Sequence, residues 1–68
     1  MLDHIYKSVE ITGSSATSME DAVQSAVART AQTVHNLRWL EVTNIRAHIE
    51  DQKVAHWQVT IKLGFKLD

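Results

Sequence analysis

From Ala55 to Leu67 the chain alternates without a break. Ala55, Trp57, Val59, Ile61, Leu63, Phe65 and Leu67 fall on one side, and His56, Gln58, Thr60, Lys62, Gly64 and Lys66 on the other. Successive side chains of a strand point to opposite faces, so this period predicts a long β-strand with one apolar face. The preceding segment, Trp39–Ile49, alternates too but changes phase: Leu40 and Val42 are its first apolar set, then Ile45, Ala47 and Ile49. A phase change of one residue is what a β-bulge produces, and it falls near Thr43-Asn44. The two segments read as one antiparallel hairpin.

Register follows from the alternation. Directly opposed residues in an antiparallel pair share a face. Holding Ile45, Ala47 and Ile49 on the apolar side sets Arg46 opposite Gln58 and His48 opposite His56. Counting back through the bulge sets Glu41 opposite Lys62 and Trp39 opposite Gly64. The face away from the core then carries Trp39, Glu41, Arg46, His48, His56, Gln58, Lys62 and Lys66.

Upstream, His4–Thr12 also alternates, and Gly13-Ser14-Ser15 supplies turn residues that predict its end. Ser18 is an N-cap residue with Glu20 and Asp21 in the following turn, where negative charge suits the helix dipole. Ala22, Val23, Ala26, Val27, Ala31 and Val34 recur at helical spacing, predicting a helix over about Met19 to His35 with Asn36 ending it. The order is β-α-β-β, an α+β fold with a three-stranded antiparallel sheet. One helix covers only one face of such a sheet, and its small-residue stripe makes a thin core. At 68 residues, burial and ordering entropy nearly cancel. These features predict an obligate oligomer that uses the second sheet face, the strand edges, or both.

Composition excludes several classes. Residues 1–68 hold one small domain, with no linker or internal repeat. There are no cysteines, hence no disulfide frame, thiol nucleophile or zinc–thiolate site. Seven Lys and Arg against eight Asp and Glu leave no basic footprint for nucleic acid. No apolar run reaches the length of a membrane span, and Met-Leu-Asp-His-Ile is no secretory leader, so the expected location is cytoplasmic. No nucleotide-binding or nucleophile motif is present, and no enzyme activity or catalytic residue is expected. His4, His35, His48 and His56 show no metal-ligand spacing, and the facing pair His48/His56 reads as solvated rather than as a metal site. Glu41 and Lys62 read as an exposed cross-strand pair of small energetic weight.

Trp39 is the sharper signal, because it opposes a residue without a side chain. One reading is a subunit-interface indole, with Gly64 relieving a twisted strand. The other is a stacking platform for a flat ring. On the same face Gln58 offers an amide that both donates and accepts, while Arg46 and Lys66 offer positive charge for an anionic tail.

At these residues the chain resembles the dodecin family, bacterial type. The resemblance runs through Ile5-Tyr6-Lys7, Val9-Glu10-Ile11-x-Gly13-x-Ser15, Ser18-x-Glu20-Asp21-Ala22-Val23, Asn36 to Val42, and Trp57 to Leu67, in order and at the family's spacing. It implies a sheet wrapped around the helix and a hollow homododecamer of 23 symmetry. It implies flavins, FMN or riboflavin, held as stacked pairs between symmetry-related tryptophans at the two-fold axes. By the resemblance Trp39 is the stacking residue, Gln58 reads the pyrimidine edge, and Arg46 lies on the FMN phosphate side. Lys66 stands where many members have arginine, keeping the charge but not the bidentate fork. Arg38, just before the tryptophan, lines the site. Coenzyme A is a second ligand of some members, with no residues of this chain assigned to it. The implied role is storage, buffering and photoprotection of flavin. The competing readings are a structural shell without flavin and a small flavin-dependent electron carrier. Ala47 and Gln52 replace glycines common in the family, the latter predicting a looser or reshaped hairpin turn, and Trp57 replaces a tyrosine or phenylalanine on the core side.

Overall fold

The computed structural model describes residues 4–67; the opening Met-Leu-Asp read above and Asp68 lie outside them. The elements are β1 (Tyr6–Ser15), α1 (Met19–Thr30), β2 (Leu37–Glu50) and β3 (Lys53–Lys66). They form a three-stranded antiparallel sheet of order β1-β3-β2, so the alternating C-terminal strand is its centre. The β2–β3 register is the one the alternation predicts: Trp39 pairs with Gly64, Glu41 with Lys62, Arg46 with Gln58 and His48 with His56. The phase change is a register shift between Val42 and Asn44, leaving Thr43 as the extra residue. Two further shifts, between Leu37 and Trp39 and between His48 and Ile49, were not legible in the hydrophobic pattern. The second re-pairs Ile49 with Val54, so β3 begins at Lys53 rather than at Ala55.

Beyond shifts of a residue or two at the strand starts, three features differ from the sequence reading. β1 runs through Gly13-Ser14-Ser15, which pair with Val59, Gln58 and Trp57. These residues are strand because α1 lies against them: a Cβ at Gly13 would fall 2.2 Å from the Ala22 carbonyl oxygen, so only glycine admits the helix this closely. The helix ends at Thr30, not near His35. Thr30 turns its hydroxyl back to the Ala26 carbonyl at 2.8 Å, and Thr33 N–H bonds to Thr30 at i−3, tightening the last turn. Ala31 and Val34 therefore lie beyond the helix. Asn36, at φ 63°, reverses the chain into β2 and is not the helix cap. Third, the hairpin turn is tight: β2 and β3 are joined by Asp51 and Gln52 alone, at φ 51° and 65°, as the twist of a two-residue hairpin demands.

The N-terminus of α1 is built as the sequence indicates. Ser18 Oγ accepts the Asp21 N–H at 3.0 Å. Ser15, buried at the end of β1, donates its hydroxyl to Asp21 Oδ2 at 2.7 Å and accepts the Thr17 N–H at 2.9 Å, tying strand to helix. Ala22 and Ala26 close on Val59, Ile61 and Leu63, with Val9, Ile11, Val23, Val27 and Leu37 around them.

The helix packs on β1 and β3; on β2, Leu37 reaches the core but the apolar row beyond it is left uncovered. Leu40, Val42, Ile45 and Ile49 share the core-side face, as the alternation requires, yet stand 41–62% exposed in the protomer. The tip of the hairpin also extends past β1, whose pairing with β3 stops at Trp57. No helix of the described residues is long and apolar enough to cross a membrane.

Two substitutions test this framework by urea denaturation at fixed protein concentration. Gly13→Ala forces α1 off the sheet and lowers stability by about 1–3 kcal/mol, the scale of overpacking. Gln52→Gly removes a left-handed non-glycine residue, which costs roughly 1–2 kcal/mol, and raises the midpoint after the loss of chain entropy is deducted.

Candidate functional site

The polar face of the sheet is ordered by strand pairing into rows. Across β1, β3 and β2 these run Ser8–Gly64–Trp39, Glu10–Lys62–Glu41, Thr12–Thr60–Asn44 and Ser14–Gln58–Arg46, with His56–His48 beyond the end of β1. Every residue singled out on this face from the alternation lies on it.

Trp39 is fixed by Gly64. A Cβ built on Gly64 would fall 2.0 Å from Trp39 Cε2, 2.2 Å from Cζ2 and 2.5 Å from Nε1. A point in the ring plane outside Cε2 would lie nearer one of its two neighbours than Cε2 itself. The order of distances therefore places the missing Cβ over the ring, and the indole lies flat across the glycine. One ring face is taken by Gly64 while the residue stays 42% exposed. A flat, open aromatic surface is what stacking needs. Arg38, at the register shift beside it, lines a cleft with Val27, Leu37, Trp39, Leu40 and Leu63. Lys66 is half-buried two residues past Gly64, on the same face and opposite Tyr6.

Arg46 and Gln58 form a second group. Arg46 Nε donates to Gln58 Oε1 at 2.8 Å. Strand pairing foretold their opposition, but the sequence reading assigned them separate tasks and missed this bond. Gln58 and Gly64 are six residues apart on β3, so at about 3.4 Å per residue their backbone positions are separated by about 20 Å. The structure thus brings Trp39 and Lys66 to one end of the face, with Arg38 at the same end of the sheet in the cleft toward Val27, and Arg46 with Gln58 to the other.

The histidine pair behaves as its register suggests. His48 and His56 stack with centroids 5.1 Å apart and planes 23° from parallel, and His48 Nε2 sits 3.3 Å from Glu50 Oε1. Stacked rings direct their nitrogens side by side rather than toward one point, and among the described residues no group of three His, Cys, Asp or Glu is placed to hold a metal. Glu41 and Lys62 oppose one another in register without forming an ion pair within 4.0 Å. Thr12 and Thr60 share a hydroxyl hydrogen bond of 2.8 Å between the two groups.

The fold and face described so far define a class: a small α+β protein whose sheet carries a helix on one face and an exposed indole on the other. The family model described as Dodecin matches residues 5–68. The chain is similar to the dodecin of Thermus thermophilus, at 41% identity over 64 residues, covering 94% of this chain and 93% of that one. Among solved structures it is similar to dodecin from Streptomyces coelicolor, at 48% identity and a TM-score of 0.94, covering 100% of this chain and 97% of that one. It is also similar to dodecin from Streptomyces davaonensis, at 42% identity and a TM-score of 0.93, covering 98% of each. The chain belongs to the dodecin family.

The seat of Trp39 is open to a direct check. In a Trp57→Phe background, Gly64→Ala displaces the indole and shifts its emission to longer wavelength, while far-ultraviolet circular dichroism stays unchanged.

Proposed function

We propose that this chain is a flavin-binding storage and buffering protein that sequesters FMN or riboflavin and quenches its photochemistry. The observation that carries the reading is the Trp39 indole, seated flat on Gly64 with its ring still open to a ligand. Membership of a family known for binding flavin supports it. The residues fit the group. The indole matches an isoalloxazine in shape, and Gln58 offers an amide donor for the pyrimidine edge. Arg46, Lys66 and Arg38 offer cations to the FMN phosphate.

The site as proposed spans two protomers. The strand positions of Trp39 and Gln58 are about 20 Å apart along the sheet, longer than a tricyclic ring. A flavin stacked on Trp39 of one protomer therefore meets Gln58 of another. Self-association, in the family's manner a homododecamer, supplies the second chain and covers the bare row of Leu40, Val42, Ile45 and Ile49.

When bound, an isoalloxazine supplies a strongly oxidising excited state. Trp39 would hold that ring in face contact, where its electron-rich indole would be the donor that quenches emission. An indole from each of two protomers would leave little room for a substrate beside the ring, so the role is to hold and protect rather than to turn over.

Titrating FMN with the apoprotein, riboflavin alongside, tests the proposal. The expected result is strong quenching that saturates near one flavin per chain, from a species that sediments as a large assembly. Trp39→Ala weakens binding by roughly 10- to 100-fold, the scale of one aromatic stack, and leaves the assembly intact. Gln58→Ala weakens it less, by about 2- to 10-fold, since a net hydrogen bond contributes ~0.5–1.5 kcal/mol. No quenching of either flavin from an intact assembly defeats the reading and leaves a shell in which Trp39 only packs subunits. Turnover with a reduced nicotinamide or a dye identifies an electron carrier instead.

A further inference from the structure

We infer that Arg46 is a positioning residue for Gln58: it sets which way the amide faces, and so decides that the ligand meets an N–H donor there. The inference rests on the flavin reading above and deepens it by giving Arg46 a task that does not involve phosphate.

The chemistry of the pair decides the orientation. A guanidinium has donors only, whereas a glutamine amide has a donor end and an acceptor end. With Arg46 directly opposite on β2, the amide atom that faces Nε is the oxygen, at 2.8 Å. The flipped amide would set N–H against N–H. Gln58 Oε1 is thereby held, and Nε2 with its two hydrogens points away from Arg46. A group presented in this way recognises an acceptor, such as the ring carbonyls of a pyrimidine edge. Its order is already imposed before the ligand arrives, which lowers the entropy that binding must overcome. The stack of His48 and His56 occupies the adjoining row. Only the Nε–H is used on Gln58, so the other guanidinium donors stay available to an anion.

Riboflavin separates the two tasks, because it lacks the phosphate. The probes are riboflavin and FMN, titrated by fluorescence quenching against the intact protein, with sedimentation confirming the assembly of each variant. Arg46→Met keeps an apolar stem and removes the donor. Arg46→Lys keeps the charge and removes the planar Nε–H. Both weaken riboflavin by about 2- to 10-fold, the scale of one hydrogen bond. In a Gln58→Ala background Arg46→Met causes no further loss of riboflavin affinity, since nothing is left to position. Gln58→Glu, which keeps the contact to Arg46 but removes the amide donor, weakens riboflavin at least as much as Gln58→Ala. If Arg46→Met lowers FMN affinity alone and leaves riboflavin unchanged, Arg46 is a phosphate contact and the inference fails. It fails equally if the losses of Arg46→Met and Gln58→Ala multiply in the double variant. Failure of the unsubstituted protein to bind either flavin overturns the flavin reading itself.

Discussion

Everything on the polar face depends on how β2 is registered against β3. The bulge at Thr43 lets a strand whose apolar residues change phase keep one face toward the core along its whole length. Without that extra residue, every side chain on one half of β2 would change faces. Either Trp39 would turn to the helix side, or Arg46 and His48 would. The stacking surface and the Arg46–Gln58 bond exist together only because one residue is left out of the pairing.

The second constraint is the width of the helix. α1 presents Ala22 and Ala26 to the sheet, and Gly13 lets it come close enough to bury Val59, Ile61 and Leu63 almost completely. A helix so close and so narrow covers β1 and β3 but not the row of Leu40, Val42, Ile45 and Ile49 on β2. The apolar row of β2 is therefore a consequence of tight packing elsewhere. A face of this kind calls for a partner surface, and the site as proposed carries the same requirement, since the strand positions of Trp39 and Gln58 are too far apart on one protomer to meet one ring. Assembly and ligand binding are in this view one problem.

The two glycines answer the same need at opposite faces. At Gly13 a backbone carbonyl takes the space of a side chain, and at Gly64 an indole does. The first fixes the core, the second the aromatic platform. Neither has a positive φ, so both are glycines for room and not for backbone conformation.

The sequence by itself determined the strand order along the chain, the faces and the β2–β3 register between Trp39 and His48. Those follow from a two-residue period and one phase change, which are local and survive without knowledge of any neighbour. It also marked Trp39, Gln58 and Arg46 as residues of one face. Only the tertiary structure decided where the helix stops, since Thr30 bonding back to Ala26 and the reversal at Asn36 carry no hydrophobic signature. It alone carried Gly13-Ser14-Ser15 into the sheet, because turn-forming residues become strand where a helix packs on them. It alone showed β2 uncovered, since alternation tells which face a residue takes but not whether anything lies on that face. And it joined Arg46 to Gln58, because opposition in register fixes Cα positions, while the choice of donor and acceptor is made by the side chains once they meet.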